Sequence, residues 1–139
     1  MCNAEKMKNY YHWTLILIVF ISVLSCQNDF KLRQIINQNS PLILTQRDKK
    51  AETGLFIIDT LKVDSKKWKE FIHFAMIDNG NWKSTPASYN SDFYIQQDNF
   101  RLLGWYNGNF VVISFTDKSG KVQQLTKEIN KGELNFLNE

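Results

Sequence analysis

Residues 100–116 constrain the fold most. Two runs rich in apolar and β-branched side chains, residues 100–106 and 110–116, flank Asn107-Gly108. That pair tolerates the positive φ angles of a type I′ turn, so the segment reads as a β-hairpin. In Phe110-Val111-Val112-Ile113 both faces are apolar. Such a strand belongs in the middle of a sheet, covered on both sides. Further strands and a covering layer must come from the rest of the chain.

They are legible on either side. In residues 55–63, Leu55, Ile57, Leu61 and Val63 fall on one face, with Phe56, Ile58, Thr60 and Lys62 on the other, and Asp59 interrupts the first. Ser65 is placed to cap a helix over 66–77 that ends at Asn79-Gly80. Trp68, Phe71, Ile72 and Ala75 keep helical spacing there. Phe71-Ile72-His73-Phe74 also fits a strand, the competing reading. A loop over 81–90 carries Trp82, Pro86 and Tyr89, and a strand follows over 92–97. Asp117-Lys118-Ser119-Gly120 turns the chain into a last strand over 121–127. Upstream, Phe30, Leu32, Ile35 and Ile36 fit either one side of a short helix or plain tether. Asn39-Ser40-Pro41 breaks that segment, and Leu42-Ile43-Leu44 reads as a short strand. The expectation is an α+β fold, a small antiparallel β-meander with one packed helix, with all-β as the alternative. The boundaries expected are a signal peptide over 1–25, a cysteine and tether over 26–50, and a single globular domain over 51–139.

The chain of 139 residues, 43% hydrophobic and 22% charged, suffices for one core without metal or disulfide. A net charge of +3 gives no electrostatic case for nucleic acid.

The first 26 residues point to an address. Lys6 and Lys8 precede an apolar run over 13–24, then Ser25-Cys26 and the polar Gln27-Asn28-Asp29. Twelve such residues make about 18 Å of helix, against a bilayer core of about 30 Å. The run is too short for a comfortable span and right for a signal peptide. Met7-Lys8 offers an alternative start of translation, with the same mature product.

Val23-Leu24-Ser25-Cys26 resembles the lipobox of bacterial lipoproteins, with an aliphatic residue three before the cysteine and a small one just before it. Leu24 is bulkier than that pattern usually has. The resemblance covers residues 1–26 only. It implies cleavage between Ser25 and Cys26, a diacylglyceryl group on the Cys26 sulfur, and acylation of the new amino terminus. Such a cysteine holds a protein to a membrane through two or three acyl chains. The absence of an aspartate directly after Cys26 favours the outer membrane and leaves the leaflet open. The two competing readings are an uncleaved anchor helix and cleavage without lipid.

Catalytic patterns are sparse. His12 lies in the expected signal peptide, which leaves His73 alone. Glu70 stands three residues before it and would neighbour it on a helix. Asp59 on an apolar strand face, and the pair Asp92 and Asp98, are the other acid–base candidates. Gly104 and Gly108 do not make a phosphate loop. No metal or cofactor is expected. Lys66, Lys67 and Lys69 form a basic patch at the helix start. Trp82, Tyr89, Tyr94, Trp105 and Tyr106 gather in the second half, and Trp105 shares a strand face with Arg101 and Leu103. Aromatics with a polar edge favour interfaces and could stack on sugar or peptide; packing within the sheet is the plainer reading. The functional expectation is a lipid-anchored cell-envelope protein that binds a protein or carbohydrate partner and is not an enzyme. A small hydrolase using Asp59, His73 or Asp92 is one rival. A carbohydrate-binding module with exposed, coplanar Trp82 and Trp105 is the other.

Overall fold

The computed structural model describes residues 30–48 and 54–139. Ser25, Cys26 and the signal peptide expected over 1–25 lie outside the described residues. Seven strands form one sheet: β1 Leu42–Arg47, β2 Phe56–Leu61, β3 Lys83–Ser84, β4 Phe93–Gln97, β5 Phe100–Gly104, β6 Phe110–Thr116 and β7 Val122–Glu128. Their order across the sheet is β2-β1-β4-β5-β6-β7-β3, and every neighbouring pair is antiparallel. Among the described residues one α-helix, α1 (Lys66–Met76), packs against it. The molecule is mostly sheet, which fits the all-β alternative as well as α+β.

Period-two alternation sorts the side chains into two faces. Leu42, Leu44, Phe93, Ile95, Phe100, Leu102, Val111, Ile113, Phe115 and Leu125 share the face under α1 and are buried. Trp68, Phe71, Ile72, Phe74 and Ala75 come down from the helix to meet them. Helix wins over strand at residues 71–74 because Ser65 Oγ caps Trp68 N–H at 3.4 Å and the helical period puts all five apolar residues on one side. Leu134 and Leu137 close the core from the C-terminal segment. As expected, β6 is interior: it lies between β5 and β7, and Val111, Val112 and Ile113 are all buried.

Three expectations are corrected. The folded unit does not begin at residue 51. Leu32, Ile36, Leu42 and Leu44 are buried, and β1 lies between β2 and β4, so residues 30–47 belong to the core rather than to a tether. Two buried polar side chains hold this segment. Gln97 accepts the Asn37 N–H at 2.8 Å and donates to Asn37 O at 2.9 Å, and Asp78 accepts the Leu32 N–H at 2.6 Å. The strand over 55–63 does not bury one face. β2 is the sheet's edge, and of its residues only Leu61 is buried. The turn at Asn107-Gly108 is not type I′. Asn107 alone takes a positive φ, 58°, in a turn closed by Gly108 N–H to Trp105 O at 3.0 Å. The wider loop follows from its anchors: Asp92 accepts the Tyr106 N–H, and Asn135 exchanges two hydrogen bonds with Asn107.

Candidate binding surface on the open sheet face

The sheet face away from α1 is only partly covered. The antiparallel register sets two rows of side chains across it. Tyr94 pairs with Leu103, Leu103 with Val112 and Val112 with Thr126. Beside that row, Gln96 pairs with Arg101, Arg101 with Ser114 and Ser114 with Gln124. The second row is entirely polar. At about 4.8 Å between strands it extends roughly 14 Å.

One wall rises beside these rows. The segment following β3 folds back over the sheet: Thr85 N–H donates to Gln124 O at 3.1 Å, and the Gln124 side chain donates to Ala87 O at 2.6 Å. Tyr89 bonds Thr85 Oγ1 through its hydroxyl at 2.7 Å and meets Trp105 edge-on, ring centroids 6.0 Å apart. Trp105 lies 4.5 Å from Phe110 and donates its indole N–H to Asn90 O at 2.8 Å. The result is a groove of about 480 Å³ whose floor is Leu103, Val112 and the polar row, with Ser88 and Tyr89 beside it. Arg101 is exposed there. Its guanidinium sits 4.6 Å from the Tyr94 ring centroid and donates to Gln96 Oε1 at 3.2 Å. A stacked, hydrogen-bonded guanidinium is held in place while keeping donors free for a ligand.

The five aromatics named from the sequence therefore divide. Tyr89, Tyr94 and Trp105 are on the open face. Trp82 is not: it is 1% exposed, beneath the helix layer, with Phe30 edge-on at 5.8 Å and its indole N–H on Asp78 at 2.9 Å. Tyr106 is turned inward as well, against Phe93 at 5.0 Å, with its hydroxyl donating to Gln46 at 2.6 Å. Burial, and then the nearby Asp92 carboxylate, push its phenol up to about 12.

No family model, curated protein or solved structure matches this chain.

Tyr89, Arg101 and Leu103 were named from the sequence, but the polar row as a whole was missed because it is discontinuous. Gln96, Arg101, Ser114 and Gln124 come from four strands, and only the register aligns them. The acid–base candidates do not converge. Asp59 is exposed on edge strand β2, His73 is exposed on α1, and Asp92 caps the Tyr106 amide beyond the other end of β5. Glu70 and His73 line a shallow pocket of about 370 Å³ with Lys69 and Glu133. Asp98, the other half of the proposed carboxylate pair, occupies the two-residue β4–β5 turn, at φ 47°. Lys66 and Lys69 are exposed and engaged with Glu139 and Asp64, while Lys67 donates to Leu137 O. Among the described residues no three His, Cys, Asp or Glu side chains group to hold a metal.

Proposed function

We propose that this chain is a lipid-anchored protein of the cell envelope that binds a protein partner on its open sheet face. The cross-strand row of Gln96, Arg101, Ser114 and Gln124 beside apolar Leu103 and Val112 carries the binding half of the reading. A flat row of amide, guanidinium and hydroxyl groups can accept and donate along an extended segment of about four residues, and an apolar strip alongside takes its side chains. A sugar platform is the weaker reading, because Trp82 is buried and one side of Trp105 is taken by Phe110. The separation of Asp59, His73 and Asp92 favours binding over hydrolysis. Within this reading the fold is classed as α+β, since α1 supplies five buried side chains to the core.

The anchoring half rests on the resemblance of Val23-Leu24-Ser25-Cys26 to a lipobox. Phe30, already packed against the core, follows Cys26 by four residues. At about 3.5 Å per residue the link is at most about 14 Å long, so the domain sits close to the membrane, the outer one on this reading.

Two measurements test the two halves separately. Mass spectrometry of the purified native protein should find an amino terminus at Cys26 carrying acyl chains. A terminus elsewhere, or an unmodified thiol, removes the anchor. Crosslinking in intact cells should capture a protein partner that Arg101→Glu loses about tenfold or more, since truncating or reversing an interface arginine costs at least about 1.4 kcal/mol. Capture unchanged by Arg101→Glu and Gln124→Ala removes the groove from the interface.

A further inference from the structure

The two edges of the sheet are built differently. The β3 edge is two residues long and carries exposed Lys83, the ordinary protection of an edge against pairing. The β2 edge carries one charge, Asp59, and ahead of it an unbroken apolar run. Leu55, Phe56, Ile57 and Ile58 follow one another and are 61, 53, 45 and 71% exposed. No lysine, proline or bulge interrupts them. Their backbone is half used. Asp48 N–H donates to Leu55 O at 2.8 Å, and in the alternation of an antiparallel ladder Ile57, Asp59 and Leu61 also bond inward to β1. Phe56, Ile58 and Thr60 therefore aim their N–H and C=O groups outward from the sheet.

We infer that this edge is the dimer interface of the protein, with β2 pairing antiparallel to β2 of a second copy. The axis that relates two antiparallel copies of one edge is a two-fold normal to the sheet. Centred on Ile57, it sets Ile57 against its own copy and Phe56 against Ile58 of the second copy. Aromatic against β-branched is among the favoured cross-strand pairs. Centring on Asp59 would oppose two like charges. The exposed parts of Leu55 to Ile58 total roughly 500 Å² per copy; edge pairing covers their flanks, so the interface stays below about 1,000 Å² and belongs to the weak, concentration-dependent class. The position of Phe30 is compatible with this symmetry. Phe30 stacks on Phe115 at 4.7 Å and lies on the α1 side of the sheet. A two-fold normal to the sheet keeps both α1 layers, and Phe30 of each copy, on one side. Both grooves then open on the other.

The test uses the full chain carrying Cys2→Ser and Cys26→Ser, which removes both native thiols and makes the result independent of lipidation. Ile57→Cys in that background then supplies the single thiol. At a non-hydrogen-bonded antiparallel pair the two Cα atoms stand about 4.5 Å apart, within disulfide range. Mild oxidation should convert most of the protein to a covalent dimer, whereas Lys83→Cys at the opposite edge should give little. Sedimentation should show a dimer, and Ile58→Lys should weaken it about tenfold or more while the β-sheet circular dichroism persists. If Ile58→Lys unfolds the chain, the cysteine pair decides alone. Ile57→Cys crosslinking no better than Lys83→Cys, or a chain that sediments as a monomer up to about 0.1 mM, overturns the proposal. Monomers that bind lipid vesicles and lose them on Ile58→Lys also overturn it and assign the edge to the membrane.

Discussion

Replacing Asp78 by alanine should cost about 4 kcal/mol, because one carboxylate satisfies four donors, two from its own loop and two from distant segments. Its side chain is 4% exposed. It accepts the Leu32 N–H at 2.6 Å, the Trp82 indole N–H at 2.9 Å, the Gly80 N–H at 3.2 Å and the Lys127 ammonium. Removing one member of a buried ion pair costs about 3–5 kcal/mol, since the other charge is left without a partner. Lys127 is 16% exposed and recovers some hydration, which favours the lower part of that range. The stranded Leu32 and Trp82 donors add about 1–3 kcal/mol each if water does not reach them, and partial access gives the intermediate figure. With a urea m value of about 1.5 kcal/mol/M, the unfolding midpoint falls by roughly 2.5 M. Urea unfolding followed by tryptophan fluorescence measures this directly. Adding Lys127→Met to Asp78→Ala removes the stranded cation and should restore part of the loss. The pH profile supplies a second readout. Burial pushes the Asp78 carboxyl up, but Lys127, the Leu32 amide and the Trp82 indole outweigh it, and the net shift is down from 3.8. A carboxyl lowered on folding adds stability that is complete above its ordinary value and disappears as pH drops through the folded one. The native protein should weaken as pH falls below 3.8, and Asp78→Asn should flatten that part of the curve. A midpoint shift under about 0.7 M, or an unaltered acid limb, would refute the argument that this carboxylate ties the N-terminal segment to the core.

Gly104→Ala should destabilise by about 1–3 kcal/mol, since a Cβ there would stand 2.3 Å from the buried Phe93 ring; thermal unfolding measures it, and an unchanged midpoint refutes it. Asp117 accepts from Ser119, the Gln123 side chain and the Lys121 amide, which hold its carboxyl down at about 2. A carbon-detected NMR titration should find it there, returning toward 3.8 in Ser119→Ala with Gln123→Ala.

Much of the sheet was legible because alternation and turn residues are local signals. The 66–77 helix, the interior position of residues 110–113 and the strands near 92–97 and 121–127 all follow from period and capping. What failed had a common cause: a partner distant in sequence decides the outcome. Trp82 looked like a surface aromatic in a polar loop, and only Phe30 and Lys127, brought from two distant segments, together with nearby Asp78, make it core. The short β3 was hidden for the same reason, since its pairing with β7 comes from across the chain. Residues 30–38 fitted a tether as well as a short helix because their apolar positions are spaced irregularly, whereas Leu42-Ile43-Leu44, expected as a strand, opens β1. Two side-chain anchors, Gln97 and Asp78, order residues 30–38 where periodicity does not. Asn107-Gly108 carried the right turn chemistry, but Asn135 and Asp92 impose a wider loop.

On the proposed anchoring, the Asp78 cluster has a mechanical consequence. Cys26 is separated from Phe30 by too few residues to reach far, so a bilayer holding the cysteine lies within about 14 Å of the α1 side of the sheet. Force along the tether first meets the Phe30 stack on Phe115 and the Leu32–Asp78 bond. Lys127 passes that load into β7, the strand whose Gln124 lines the groove on the opposite face. The sheet thus separates the two roles by its alternation alone. Leu125 and Lys127 face the core and the Asp78 cluster, while Gln124 and Thr126, one residue away, face the side of the proposed partner groove.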